Sequence, residues 1–298
     1  MFTQQRIGDR IVDAIIWIAA IVLSAACVLP FLTVISRSVS ARTAVLSNQV
    51  LFWPVGFSLD NYSFLMRDLT FLTSFAISVA RVLVGVTLNL ALIIITAYPL
   101  SQDQFHIPGR TVFKVILVFG MLFDGGLIPA YLAYKNLGLL NRFAVLVLPG
   151  SLNIFFAILM INFFRGIPRE LSESALLDGA NHLAVLVRVF LPLSLPSLAT
   201  VGLFSAVGHW NSWFDGIVFL SKREMWPLQS YLYVQVTQKR LATLVGENIR
   251  SDPDLMRKIT PEGLAAAMIM IGSIPIILVY PFVQRYFVRG LTLGAVKG

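Results

Sequence analysis

The sequence predicts an all-α integral membrane protein with six transmembrane helices and a polar elbow between the fourth and the fifth. Hydrophobic residues make up 57% of the 298 positions and charged residues only 13%, against about 25% charged in soluble domains. The mean hydropathy is +0.80. Six apolar runs approach the length of about 20 residues that a helix needs to cross a bilayer. These observations exclude an ordinary soluble globular domain.

The first apolar run resembles a signal sequence because Arg6 and Arg10 precede it. A cleavable signal has an apolar core of only about 7 to 15 residues. Here the run continues through Cys27 to Leu32, so we expect an uncleaved anchor. The six predicted spans are 14–36, 72–100, 112–133, 143–164, 195–220 and 264–287.

Polar residues interrupt the next two spans. In the third, Asp124-Gly125-Gly126 followed by Pro129 predicts a helix break or a helix end near an interface. Asp124 there either lines a cavity or caps a helix at the interface. The residues that interrupt the second span are Ser74, Ser78, Arg81 and Asn89.

The net charge of +8 arises from 23 basic and 15 acidic residues, and it fits an anionic lipid surface, an acidic partner or a nucleic acid. If both termini are cytoplasmic and the stretch 221–263 is set aside, ten Lys and Arg lie inside and six outside. The positive-inside rule favours this orientation by a narrow margin. The single cysteine, Cys27, excludes an intrachain disulfide.

The stretch 221–263 is the one long polar segment. Its seven cations and five acids are nearly balanced and are interleaved with Trp226, Tyr231 and Tyr233. A nucleic-acid surface would carry an excess of cations, so that partner is not expected. A solvated loop outside the membrane and a docking surface for a soluble partner both fit the pattern.

A second polar segment, 165–192, predicts an elbow of two short helices. Glu170 and Glu173 lie where the helix dipole favours acids, and Gly179 suits a left-handed C-terminal cap. A helix of about three turns is expected, followed by another over Asn181–Phe190. An interfacial amphipathic helix would carry cations on its polar face, whereas this one carries acids.

The elbow also resembles a known motif. Glu173-Ser174-Ala175, Gly179, Val189 and Leu191-Pro192 match the spacing of the EAA loop of binding-protein-dependent ATP-binding cassette (ABC) import permeases, with Ser174 and Val189 as small departures. The resemblance implies a coupling helix that seats on a separate ATPase, and it would place the elbow and both termini in the cytoplasm. The implied ATPase-coupling residues are Glu170, Glu173, Ser174, Ala175, Asp178 and Gly179.

The resemblance covers nearly the whole chain and is closest to the smaller permease of the maltose-type branch. The tail 284–298 is similar to the ending typical of that branch. The segments 125–129 and 208–214 resemble a subgroup that imports oligosaccharides and complex glycans, with alginate oligosaccharides as the first expectation.

This resemblance implies a set of partners in a bacterial inner membrane. They are a second homologous permease subunit, two ATP-binding cassette subunits and an extracytoplasmic sugar-binding protein, which the stretch 221–263 would contact from outside. The chain lacks a phosphate-binding G-x-x-x-x-G-K-[ST] motif, so ATP and Mg are expected on the partner ATPases and no cofactor on this chain.

Polar residues in the fifth span suggest a substrate path. On a continuous helix Ser205, His209, Ser212 and Asp215 share one side, and such residues usually face a bundle interior or a wet cavity. Packing of helix against helix is an equal alternative. The path candidates are Asp124, Ser205, His209, Asn211, Ser212, Trp213 and Asp215.

Two tryptophans of this span carry separate expectations. Trp210 is assigned to an interfacial aromatic belt. Trp213 is left open between that belt and stacking on a sugar ring.

Two other functions compete. A transporter driven by an ion gradient usually has inverted repeats with paired broken helices, and the break at 124–126 has no second copy. A membrane-embedded enzyme is disfavoured because His106, His182 and His209 fall in separate segments without an H-E-x-x-H or G-x-S-x-G pattern. We therefore expect no catalytic site and no metal site.

Overall fold

The computed structural model describes residues 7–102, 107–237 and 258–295, with side chains from residue 11 to residue 279 within those ranges. These residues form helices and turns and contain no β-strand, only an isolated antiparallel bridge between Ser40 and Phe57. Cα packing divides the chain into one unit made of Met1–Leu69 and Leu232–Ile274, and another made of Thr70–Tyr231 and Pro275–Gly298.

The helices are named here in chain order. They are α1 (Ile7–Ser38), α2 (Arg42–Leu46), α3 (Asp60–Leu65), α4 (Leu69–Ser101), α5 (Arg110–Leu122), α6 (Leu127–Asn136), α7 (Ile154–Arg165), α8 (Arg169–Leu177), α9 (His182–Val185), α10 (Leu191–Leu193), α11 (Leu195–Asn211), α12 (Phe214–Phe219), α13 (Leu228–Thr237) and α14 (Pro261–Ala295). A π turn, Leu186–Phe190, joins α9 to α10, and short 3₁₀ turns lie at Phe143–Leu146 and Arg223–Met225.

In the first unit, the chain that follows α1 folds back onto the end of that helix. The Ser36 hydroxyl donates to the carbonyl of Phe52 at 2.7 Å. Asn61 of α3 donates through Nδ2 to the carbonyl of Ser38 at 3.1 Å. The Asn61 bond occupies one of the carbonyls that have no helical partner at the C-terminus of α1, and the Ser36 bond ties the connection between α2 and α3 to the same helix end.

The second unit has its apolar core where the later half of α4 meets α7, the π turn and α11. The Phe190 ring packs edge-on against Tyr98 at 5.1 Å and against Phe164 at 5.5 Å between centroids. These rings connect the elbow to α4 and α7 through buried aromatic contacts. The fully buried residues of this core include Ile93, Ala97, Ala157 and Met160.

Helix α4 also carries a buried polar face, which we call the α4 polar face. Its residues recur every three or four positions, which places them on one side of the helix. They are Ser74, Ser78, Arg81, Gly85 and Asn89. Ser78 accepts the backbone N–H of Leu228 at 2.7 Å, and Asn89 donates to the carbonyl of Ser151 at 2.8 Å. Side chains of this face thus supply hydrogen-bond partners to backbone groups of Ser151, which is outside a helix, and of Leu228, at the start of α13.

Three helices of the described chain are long and apolar enough to cross a membrane. They are Ile11–Ser38, Leu69–Ser101 and Pro261–Val279, which coincide with the first, second and sixth predicted spans. Counting each bent helix pair as one span raises the number to five. One such pair is α5 and α6, bent by 119°, which confirms the helix break predicted at Asp124-Gly125-Gly126.

The fourth predicted span, 143–164, differs in the structure. Its helical part, α7, has 12 residues, or about 18 Å at 1.5 Å per residue, which is less than the roughly 30 Å of hydrocarbon. Pro149 and Gly150, whose φ is +69°, end the preceding turn. Asn153 then caps α7 by accepting the N–H of Phe156 at 3.2 Å. Local turn chemistry therefore replaces the first part of the expected helix.

The fifth predicted span, 195–220, is not one helix either, because α11 ends at Asn211 and α12 begins at Phe214. In the stretch 221–263, Leu228, Ser230 and Tyr231 of α13 are buried in the protein, and the extramembrane location of the stretch stays a prediction. Residues 238–257 of that stretch, His106 and the side chains of the tail 284–298 lie outside the described residues.

We expect Asn89→Ala to lower the stability of the assembled protein by about 1–3 kcal/mol, because the half-buried carbonyl of Ser151 loses its donor. The measurement is the thermal unfolding midpoint in lipid nanodiscs. Thr87→Ala is the matched control, since the exposed Thr87 hydroxyl bonds only to Leu83 of its own helix. Equal midpoints for the two variants would contradict a structural role for Asn89.

Candidate substrate path and coupling elbow

An ion pair between Arg81 of α4 and Asp215 of α12 lies at the centre of the candidate path. Arg81 Nη1 donates to Asp215 Oδ1 at 3.1 Å, and Nη2 donates to Oδ2, so the contact is bidentate. Only 4% of the Arg81 side chain is exposed. A guanidinium buried to this extent requires a charge partner, since an isolated buried charge is very costly. Asp215 supplies that partner.

The same two side chains satisfy the backbone at the interruption between α11 and α12. Asp215 Oδ1 accepts from the Ser212 hydroxyl at 3.0 Å and from the N–H of Gly216 at 2.9 Å. Arg81 Nη1 also donates to the carbonyl of Ser212 at 3.3 Å. Arg81 Nε is buried without a hydrogen-bond partner among the described residues. We call this ion pair, together with the Ser212 and Gly216 groups that it bonds, the joint. It fixes the path of the chain between α11 and α12.

On the other side of this joint, Gly216 packs closely against residues 227–230. A Cβ added at Gly216 would lie 2.8 Å from Pro227 Cδ and closer still to the Ser230 hydroxyl. That hydroxyl donates to the carbonyl of Trp213 at 2.6 Å. Asp215 is in the first turn of α12, where the helix dipole favours an acid. Only glycine fits at position 216 without displacing its neighbours.

His209 reaches α4 one turn beyond Arg81. Its imidazole lies directly against the backbone of Gly85, since a Cβ at Gly85 would be 2.5 Å from Nε2. The sequence placed His209, Ser212 and Asp215 together as one side of a continuous helix. The structure brings them together along the α4 polar face instead, because the helix is interrupted between them.

The remaining path candidates are not part of this cluster. Asp124 makes one side-chain hydrogen bond in the described structure, to the N–H of Gly126 at 3.0 Å, within its own turn. Ser205 is buried on α11, and Asn211 is exposed. Trp213 is 37% exposed and packs edge-on against Phe214 at 5.7 Å.

The assignment of Trp210 to an interfacial belt is wrong. Its side chain is 6% exposed and packs edge-on against Phe75 of α4, with 5.8 Å between ring centroids. The indole therefore belongs to the protein interior beside the joint.

The elbow has a buried side and an exposed side. Gly179 has φ +85°, which confirms the left-handed position predicted from the sequence. Ser172 is buried, and its hydroxyl donates to the carbonyl of Arg169 at 2.8 Å. Asn181 caps α9 by accepting the N–H of Ala184 at 2.8 Å. Of the six predicted coupling residues, Ala175 is half-buried, and the exposed ones are Glu170, Glu173, Ser174, Asp178 and Gly179.

A small cavity lies beneath α8, between its first turn and the ends of α4 and α7. Its volume is about 160 Å³, and its lining includes Gln102, Arg165 and Ser172. Ligand pockets are typically about 300–1,000 Å³, so this cavity is too small for an oligosaccharide.

Two kinds of candidate functional residue were not predicted from the sequence. Arg81 was noted only as an interruption, although a lone arginine in an apolar span is itself a sign of a functional site. The exposed leucines of α8 were not considered, and Leu177 is 89% exposed beside the acids. Such a mixture of apolar and acidic side chains is suited to contact with another protein.

The long apolar helices, one of which, α4, forms a buried ion pair with α12, define a polytopic membrane protein, and comparison with known proteins identifies the family. The chain is 37% identical over 278 residues to Protein LplC of Bacillus subtilis, covering 93% of this chain and 91% of that protein. It is 36% identical over 293 residues to the polygalacturonan/rhamnogalacturonan transport system permease YtcP of the same organism, covering 97% and 99%.

A solved structure agrees with these relatives. A chain of a bacterial ABC transporter involved in the import of the acidic polysaccharide alginate superposes with a TM-score of 0.88 at 32% identity, covering 95% of this chain and 99% of that one. No protein-family model matches the chain. The chain belongs to the permease subunits of ABC sugar importers. Such subunits are not enzymes, and a transporter driven by an ion gradient is not favoured.

We expect Asp215→Asn to destabilise the assembled protein by about 3–5 kcal/mol, because Arg81 is left buried without a charge partner. Adding Arg81→Met to Asp215→Asn removes that charge, so the double variant is expected to recover part of the loss, the remainder reflecting the carbonyl of Ser212 left without its Arg81 donor. Thermal unfolding midpoints in nanodiscs provide the comparison.

The control for this pair is Asp124→Asn, which removes an exposed acid and keeps the oxygen that accepts from Gly126. No change in midpoint is expected for it. A double variant no more stable than Asp215→Asn alone would disprove the charge dependence of the joint.

Proposed function

We propose that this chain is one of two permease subunits that line the translocation path of an importer for acidic oligosaccharides, and that its elbow couples the path to ATP hydrolysis on partner subunits. The observation that carries the coupling role is the two-sided elbow. One side is packed into the core through Phe190, and the other presents the acids and Leu177.

The elbow is built to transmit force. Phe190 contacts Tyr98 of α4 and Phe164 of α7, so displacement of the elbow displaces both helices. Close-packed interiors are stiff and pass such displacements on. An ATPase that grips the exposed acids and Leu177 of α8 would therefore act on the helices and not only on a surface loop.

Coupling of this kind requires a particular topology and set of partners. In this proposal the elbow and both termini lie in the cytoplasm. The chain crosses a bacterial inner membrane six times, and the short α7 is part of the fourth span. The partners are a second homologous permease, two ATPases that bind ATP and Mg, and an extracytoplasmic sugar-binding protein that approaches the stretch 221–263. The EAA-like spacing from Glu173 to Pro192 supports this arrangement.

An acidic substrate is supported by the relatives, and the charge of the joint is compatible with it. Alginate is named for the structural neighbour and polygalacturonan for YtcP, and both are acidic polymers. Asp215 would repel a carboxylate if it were unpaired, but Arg81 neutralises it. The joint therefore presents no net charge that would repel an anionic sugar or retain it.

For the elbow we expect Gly179→Leu, and likewise Glu173→Lys, to abolish stimulated ATP hydrolysis by the assembled complex. The first adds bulk to the contact surface and the second reverses a charge on it. The measurement is ATPase activity in proteoliposomes with the loaded binding protein. Gly138→Leu is the matched control, because Gly138 also has a positive φ, +65°, with no atom within 4 Å of an added Cβ.

The control separates backbone strain from contact with the ATPase. Gly138→Leu carries the same strain as Gly179→Leu away from the elbow, so it should retain stimulated activity. Full coupling in both elbow variants would refute the coupling role.

For the substrate we expect ATP-dependent uptake of alginate oligosaccharides into proteoliposomes that contain the complete importer, and none of neutral maltooligosaccharides of equal length. Unlabelled oligogalacturonates should compete with the labelled alginate substrate. Equal uptake of the neutral sugars would overturn the acidic-substrate proposal and leave the permease assignment intact.

A further inference from the structure

An exposed apolar loop lies beside the end of α1, outside the path and the elbow. No charged residue occurs between Arg42 and Asp60. Within this stretch residues 51–57, which we call the apolar loop, expose large hydrophobic side chains. Trp53 is 81% exposed and Phe57 71% exposed. The other exposed large side chains of the loop are Leu51, Phe52 and Val55.

Hydrogen bonds hold the loop level with the last turns of α1. The Ser36 hydroxyl donates to the carbonyl of Phe52. The N–H of Val55 donates to the Ser40 hydroxyl at 3.0 Å, and the N–H of Ala41 donates to the carbonyl of Val55 at 3.1 Å. The backbone of the loop is thus fixed at both ends, and its aromatic side chains are left without a covering surface.

The length of α1 indicates the depth of the loop in the membrane. Helix α1 has 32 residues, or about 48 Å at 1.5 Å per residue, which is about 45 Å along the bilayer normal at the average tilt of about 20°. The hydrocarbon layer is about 30 Å thick, and with its interfacial regions the bilayer is about 40–45 Å. The last turn of α1 therefore lies in an interfacial region. Phe52, bonded to Ser36, lies at the same level.

We propose that the apolar loop inserts into the phospholipid interface and anchors the end of α1 in the bilayer. Tryptophan and other aromatic side chains concentrate at this level because their rings suit a boundary between water and hydrocarbon. A loop without charge can enter this region without desolvating an ion. A soluble partner approaches from the water, whereas this loop lies level with the membrane helix. The inference is independent of the substrate and of the coupling elbow.

The test measures tryptophan fluorescence of the assembled importer in nanodiscs. The chain has five tryptophans, so the emission of wild type minus that of Trp53→Phe isolates Trp53. Nanodiscs of phosphatidylcholine are compared with nanodiscs whose phosphatidylcholine carries bromines on the upper acyl chain. We expect brominated lipid to reduce the difference emission about twofold or more, and aqueous iodide to reduce it less.

The matched control is Trp226→Phe. Trp226 is buried and donates to the carbonyl of Leu220 at 2.9 Å, so neither quencher should reduce its difference emission. Introducing Phe57→Trp into Trp53→Phe should restore emission that brominated lipid quenches. Quenching of Trp53 mainly by iodide would mean that the loop lies in water. Quenching by neither agent would mean that protein covers it. Either result overturns the proposal.

Discussion

The structure depends on one constraint, which is that backbone N–H and C=O groups away from water must find partners within the protein. The chain is interrupted near residues 147–153, at 212–213 and before α13. At each point a side chain of the α4 polar face pairs with the exposed backbone. Asn89 bonds Ser151, Arg81 bonds Ser212, and Ser78 bonds Leu228. A single helix thus allows three neighbouring segments to depart from helical geometry.

The Arg81–Asp215 pair serves mainly to give these backbone groups hydrogen-bond partners, and it contributes less to the stability of the fold. A buried ion pair often adds little net stability, because desolvation offsets its attraction. Its directional bonds nevertheless fix geometry, and here they define where α11 ends and where α12 begins. Glycine at positions 85 and 216 then lets His209 and Ser230 approach closely. The geometry of the joint therefore depends both on the ion pair and on the two glycines.

The same helix also carries the link to the elbow. The α4 polar face occupies residues 74–89, and the apolar core that holds Phe190 begins at Ile93 and extends to Leu100. With 33 residues, α4 is about 50 Å long. It therefore joins the surface proposed for ATPase contact to the joint proposed for the substrate path through continuous helical backbone. The two candidate sites share a structural element although they are far apart along α4.

Features that arise from local chemistry could be predicted from the sequence. Hydropathy predicted a membrane protein with six spans, of which the first, second and sixth are long helices in the described structure. Asp124-Gly125-Gly126 marked the break before α6, and Gly179 marked the end of α8. Only the tertiary structure decided the joint. Neither Ser212 nor Trp213 is a helix breaker, and no local pattern pairs Arg81 with Asp215, 134 positions away. The burial of Trp210 was likewise decided by a tertiary contact. Its amphipathic ring suits a membrane interface, but in the structure it packs against Phe75. The physical reason is that burial, charge pairing and close packing are set by neighbours in space, whereas turns, caps and hydropathy are set by neighbours in sequence.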